Sequence, residues 1–355
     1  MRWGTDWKAC LLGWATGWMV LLGVAEVPHT EAADLEWSAP AVTSLRASSL
    51  QPTTSEMIPP TFSGLTAVEG SANDPWQFEP ESWPETRSSW EENLGGTGSA
   101  EAWSWMLLPD GLMYRSYIAG PHEPRFSTAF LHQSGQEVYW DSSLGGRVGI
   151  VRYGTTSAFF PEGWQLDVEG AAFLRMLPQT ERDVQAVDFR IGVPVTYRQG
   201  PLQAKFGYYH ISSHLGDEFL LKHPGYPRLN YSRDALVLGV GYFLWEAWRA
   251  YAELGWAVID TSGGAKPWEI QTGVEYDPPW VTGWQGAPFA AVNVHLREEV
   301  NWGGSLNLWA GWQWRGKQSS RVFRAGLQYF NGQSAQFSFF REHDQLVGGG
   351  IRYDF

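Results

Sequence analysis

Between residue 126 and the C-terminus, apolar and polar residues alternate with a period of two over run after run. Only β-strands whose two faces meet different surroundings produce that pattern, because successive side chains on a strand point to opposite faces. The cleanest runs decide the class. From Ala186 to Arg198, Val187, Phe189, Ile191, Val193, Val195 and Tyr197 share one face, while Asp188, Arg190, Thr196 and Arg198 share the other. From Trp164 to Leu174, Trp164, Leu166, Val168, Gly170, Ala172 and Leu174 alternate with Gln165, Asp167, Glu169 and Phe173. A helix would scatter these residues around its surface. Ten further runs fall near 126–133, 147–153, 202–214, 233–244, 248–259, 268–277, 287–296, 304–314, 322–330 and 347–355, which brings the count to twelve.

An even count suits a single-chain bacterial barrel that begins and ends on the periplasmic side. Counting back from a descending last strand, the periplasmic turns include Gln199–Pro201 and Trp245–Ala247, which are very short, and the outer loops include Leu215–Ser232 and Asn331–Leu346, which are long. Short inside and long outside is the pattern of membrane barrels. The competing all-β designs, sandwich and propeller, bury their apolar face. Here that face carries Trp164, Trp248, Trp256, Trp268, Trp312 and Trp314 toward strand ends, where two interfacial girdles place them. The expected fold class is all-β: a transmembrane antiparallel β-barrel of about 12 strands behind a disordered N-terminal spacer. The last run sets Val347, Gly349, Ile351, Tyr353 and Phe355 on one face, and the Tyr353–Phe355 ending is similar to the terminal signal read by the barrel-assembly machinery of the outer membrane.

Residues 1–33 read as a signal peptide, with Arg2 and Lys8 ahead of an apolar stretch from Ala9 to Ala25 and small residues offering cleavage after Ala25 or Ala32. An uncleaved anchor is the alternative, at the short limit for crossing a bilayer. Residues 34–107 read as a disordered periplasmic spacer, since from Asp34 to Ala100 the chain has seven prolines and ten acidic residues against Arg46 and Arg87 alone. Such a segment buries too little apolar surface to offset its ordering entropy. The barrel is expected over 108–355. A net charge of -13 with no clustered Lys or Arg excludes a nucleic-acid surface. Cys10 is the only cysteine and lies in the leader, so neither a disulfide framework nor a cysteine metal site is available to the exported chain. Trp7, Lys8 and Ala9 do not form the small apolar run that precedes a lipidated cysteine.

Several stretches resemble a bacterial family of outer-membrane barrels, the domain of unknown function DUF1207. They are LPDGLMYRSYIAGPHEPRFS at 108–127, WDSSLGGRVGIVRYG at 140–154, KFGYYHISSHLGDEFL at 205–220, GAPFAAVNVHLREE at 286–299 and AGWQWRG at 310–316. The resemblance implies a barrel and the outer membrane, and transfers no activity or catalytic residue.

The inward face given by the alternation carries both signs, among them Asp188, Arg190, Lys205, Glu253, Glu275, Arg324 and Arg352. Unpaired charges across a narrow barrel are costly, so acids and bases are expected to pair in networks that fill it, or to line a narrow polar channel. A strongly ion-selective constriction would show one dominant sign, which these strands do not. The sharpest outward motif is His210-Ile211-Ser212-Ser213-His214, followed by Asp217 and Glu218. His210 and Ser212 lie about 7 Å apart on one face, the arrangement of a base and a nucleophile in outer-membrane lipid hydrolases, with Asp217 or Glu218 left to orient the histidine. The plain alternative is a polar collar at the root of the following loop. Zinc at His210 and His214 is disfavoured by their separation of about 13 Å, and no metal or cofactor site is expected. His295 and Asn293 point inward; His122, with Glu123 and Arg125, belongs to the segment leading into the first strand and is expected at the periplasmic mouth. The leading expectation is a non-enzymatic outer-membrane barrel, a narrow channel or a structural and binding barrel whose partners are membrane lipids, the assembly machinery and small solutes. An outer-leaflet lipid hydrolase is the alternative.

Overall fold

The computed structural model describes residues 101–135, 137–258, 262–316 and 320–355. The expected signal peptide, and the expected spacer up to residue 100, lie outside the described residues. Among the described residues thirteen strands form one sheet: β1 (Ser104–Leu107), β2 (Phe126–Gln133), β3 (Val138–Gly154), β4 (Gly163–Leu177), β5 (Asp183–Gln199), β6 (Leu202–Leu215), β7 (Ser232–Trp245), β8 (Trp248–Ala257), β9 (Trp268–Tyr276), β10 (Ala287–Arg297), β11 (Gly304–Arg315), β12 (Val322–Gln333) and β13 (His343–Asp354). Each of β2 to β13 pairs antiparallel with its neighbours in sequence, and β13 pairs with β2 from Tyr353↔Phe126 to Leu346↔Gln133, which closes a barrel of twelve strands. The short helix α1 (Asp217–Lys222) lies in the loop after β6.

The two faces divide as a barrel in lipid requires, apolar outside and polar within. On β5 the outward Phe189 and Ile191 are 49% and 57% exposed, while the inward Asp188 and Arg198 are 0% and 1% exposed. A soluble sandwich would show the reverse. Aromatics pair along both rims: Trp164 with Tyr197 and Trp248 with Tyr276 at the end where β2 starts and β13 finishes (the near end), Phe130 with Trp140 and Trp256 with Trp268 toward the other (the far end).

Three sequence expectations change. The last residues of the expected spacer are ordered as β1, which pairs with the near end of β3 from Ser104↔Gly154 to Leu107↔Val151. β2 reaches β3 only over Val138 to Ser143, so β1 extends the wall where β2 is too short. Strand β3 starts at Val138 rather than 147, because a bulge between Gly149 and Val151 shifts the phase of the alternation and small residues before it hide the period. Finally, β12 and β13 run on past the apolar residues, so the loop between them is 334–342 rather than Asn331–Leu346. Near-end connections at 155–162 and 277–286 are longer than far-end ones at 134–137 and 178–182, so loop length alone does not report the side.

Candidate functional site: the barrel lumen

Between β1 and β2 the chain leaves the wall and passes through the barrel interior. Residues 108–125 carry turn-forming Pro109, Asp110, Gly111, Gly120 and Pro121 and take no regular structure, so their backbone groups lack a ladder. A buried orphan carbonyl is costly, and the inward side chains of the wall supply the missing donors. Arg152 of β3 donates to the carbonyls of Asp110 and Gly111 at 2.7 and 2.9 Å, and Gln203 of β6 to that of Met113 at 2.8 Å. Arg147 of β3 donates to the Tyr114 carbonyl, Arg249 of β8 to that of Arg115 at 2.8 Å, Arg352 of β13 to that of Ile118, and Asn307 of β11 to that of Ala119 at 2.7 Å. In the other sense the Ile118 amide donates to Glu275 of β9 at 2.6 Å. Strands around the whole circumference thus hold one segment, and Met113, Tyr114, Tyr117 and Ala119 are fully buried.

Side chains lock the plug further. The Tyr117 ring stacks on Tyr251 at 3.8 Å and 11°, and its hydroxyl donates to Glu253 at 2.8 Å, the carboxylate that also pairs with Lys205 at 2.5 Å. Space for Tyr114 comes from an absent side chain, since a Cβ at Gly239 would stand 3.0 Å from its hydroxyl. At the near end Asp277 binds Arg115 of the plug, Arg315 and Arg324 at 3.0, 3.0 and 3.1 Å. Burial pushes its carboxyl up, but the three guanidinium groups outweigh that and hold it well below the usual carboxylate range.

At the far end the loop 334–342 folds inward over the plug. Phe337, Phe339 and Phe340 are buried, and Phe337 stacks between His122 and Tyr231, with centroids at 4.6 Å on both sides. His122 Nε2 lies 3.0 Å from Oδ2 of the buried Asp188, and the Phe337 amide donates to the same oxygen at 3.1 Å. His122 is therefore inside the lumen toward its far end, not at the near-end mouth where the sequence suggested it. Against it a cavity of about 20 Å³, also bordered by Glu123, Arg190, Tyr209, Glu269 and His295, has room for a water molecule or two.

The inward residues singled out in sequence meet in this structure as follows. Asp188, Lys205, Glu253, Glu275 and Arg352 contact the plug or its partners as described, with the Arg352 guanidinium also 3.7 Å from the Trp309 ring centroid. Arg190 pairs with Glu169 at 2.8 Å and covers Tyr209, and Arg324 joins Asp277, Asp354 and Gln313. The expected acid–base networks are thus only part of the arrangement, because Arg147, Arg152, Arg249 and Arg352 spend donors on plug carbonyls. The plug residues Tyr114 and Tyr117 were missed. Two tyrosines amid turn residues directly before the first strand were the available signal.

Outside the barrel, His210 Nδ1 lies 2.9 Å from Asp234 Oδ1 on β7, and Tyr208 donates to the same carboxylate oxygen. Asp217 and Glu218 are exposed on α1, so the carboxylate beside His210 is Asp234 and not either of them. Ser212 sits across from Ser232 and Phe189 in the ladder. At the C-terminus the Phe355 ring packs edge-on to Tyr353 at 5.2 Å, lies 5.5 Å from Phe126 and covers Gly146 of β3. Among the described residues no group of three His, Cys, Asp or Glu side chains is placed to hold a metal ion.

A family model described as a protein of unknown function, DUF1207, matches residues 66–355. No curated protein matches the chain. Among solved structures it is similar to outer membrane phospholipase A from Escherichia coli, at 10% identity and a TM-score of 0.44 over 67% of this chain and 92% of that one. It is also similar to the KdgM porin, at 9% identity and a TM-score of 0.38 over 65% and 98% of the two chains. An anion-selective porin from Comamonas acidovorans matches at 12% identity and a TM-score of 0.30, over 65% and 97%.

Proposed function

The chain belongs to the DUF1207 family of proteins of unknown function, and we propose that it is an integral outer-membrane barrel kept closed by its own N-terminal segment. In this state it is a structural or binding barrel, not an open diffusion channel. The observation that carries the reading is the seating of residues 110–119, whose carbonyls are taken up by Arg, Gln and Asn side chains from opposite sides of the wall. A buried backbone carbonyl left without a donor is costly, so a full set of wall donors supports a segment seated stably in the lumen. The near end faces the periplasm, and the apolar outer face contacts lipid. Tyr353 and Phe355 present the assembly signal.

The hydrolase alternative keeps one favourable observation, the His210–Asp234 contact, because a base needs an orienting carboxylate. Reconstitution in liposomes separates the readings. The closed barrel gives heat-modifiable gel mobility, no swelling in small sugars and no release of fatty acid. Swelling at porin-like rates rejects the closed lumen, and fatty-acid release lost in His210→Asn rejects the non-enzymatic reading.

A further inference from the structure

We propose that the plug and the far-end loop 334–342 form a single gate, latched through Asp188, so that loosening the loop releases the plug; this rests on the reading of the lumen as closed. One carboxylate oxygen serves both parts, holding His122 of the plug at 3.0 Å and the Phe337 amide of the loop at 3.1 Å. The other oxygen of Asp188 is buried without a hydrogen-bond partner among the described residues, so both contacts depend on one atom and one side-chain orientation. The two parts also touch directly, since the Phe337 ring lies on the imidazole at 23°.

The loop is itself pinned to the wall from outside the plug. Ser338 and Ser213 share a hydrogen bond of 2.7 Å, Arg297 donates to the Ser334 carbonyl at 3.2 Å, and Phe340 packs against Tyr231. Whatever displaces Phe337 from the far end removes the lid from the His122–Asp188 contact and lets water reach it. A polar contact that is strong in a dry interior weakens there, and the plug loses its far-end anchor. The rest of the segment, from Ala119 back to Asp110, is held by wall donors such as Asn307 and Arg152, and loosening at His122 reaches them along the chain.

The test places a reporter at the opposite end from the perturbation. Met113 is fully buried and its carbonyl is bonded by Gln203, the second residue of β6 at the near end. The chain carrying Cys10→Ser and Met113→Cys, refolded in detergent, is labelled with a soluble maleimide, with and without Phe337→Ala. Gel mobility before heating verifies folding. Protection of the thiol with the loop intact, and labelling about tenfold faster in Phe337→Ala, is the expected result, the scale of a modest coupling between sites. Equal protection with and without Phe337→Ala overturns the single gate and leaves the closed lumen standing. Rapid labelling with the loop intact overturns the closed lumen itself. If Phe337→Ala does not fold, Phe340→Ala, which loosens the loop through Tyr231, carries the comparison with the same outcomes.

Discussion

Replacing Asp277 by Asn tests whether the near-end anchor of the plug depends on charge. Asn keeps the shape and one acceptor but turns the other oxygen into a donor that faces guanidinium groups. The carboxylate now binds Arg115, Arg315 and Arg324 at 3.0 to 3.1 Å with its side chain 9% exposed. At an effective dielectric of about 20 each contact at such range is worth roughly 4 kcal/mol before desolvation is subtracted. Arg324 retains Asp354, whereas Arg115 and Arg315 lose the counter-charge they share. Breaking a buried charge cluster costs about 3–5 kcal/mol, and the mouth position argues for the lower end. Denaturant unfolding in detergent at pH 7, followed by tryptophan fluorescence, should therefore show Asp277→Asn less stable by about 3 kcal/mol. The pH dependence fixes the cause. Because the folded carboxyl lies below its unfolded value of about 3.9, its contribution is complete above that pH and is lost as pH falls toward the folded value. The gap between wild type and variant should be constant from about pH 5 to 8 and narrow only below about 4. A gap within about 0.5 kcal/mol at pH 7, or one that widens on acidification, refutes the reasoning.

Gly111 has φ +80°, and a Cβ there would lie 2.1 Å from the Ala158 carbonyl oxygen. Gly111→Ala should therefore unseat the start of the plug and lower stability by at least about 1 kcal/mol, read as a shift in the denaturant midpoint. A Cβ at Gly146 would meet the Phe355 ring at 2.7 Å, so Gly146→Val and Phe355→Ala should both reduce the yield of heat-modifiable protein, and unchanged yields would reject the packing role. Ser212→Ala and His210→Asn should leave phospholipid turnover at the background of the wild type, measured with labelled lipid in mixed micelles; a wild-type rate that both variants abolish would make the outer face an active site.

The wall was legible in the sequence because a barrel in lipid repeats one simple rule, period two with opposite solvents, and β5 obeys it from Val187 to Arg198. Where the rule bends it could not be followed. The bulge at Gly149 and the mostly small residues from Ser142 to Gly146 concealed nine residues of strand, from Val138 to Gly146. The inward position of Lys205 or Glu275 follows from alternation, but what each touches depends on a segment with no period at all. Residues 108–125 read as a lead-in because their turn residues and mixed polarity describe a loop in water and a plug in a polar lumen equally well. Nor does sequence spacing bring His122 to Asp188, since their meeting depends on the path of the chain through the barrel. Asp234 beside His210 was within reach, as the facing residue on the next strand, whereas Asp217 and Glu218 were chosen only for closeness along the chain.

The proposal of a closed lumen is tested most directly by single-channel recording of the refolded full chain in a planar bilayer at neutral pH, beside a chain lacking residues 108–119. The account predicts a silent wild type and steady current steps from the shortened barrel. Sustained wild-type current equal to that of the shortened chain would contradict it, because the plug would then not occlude the pore.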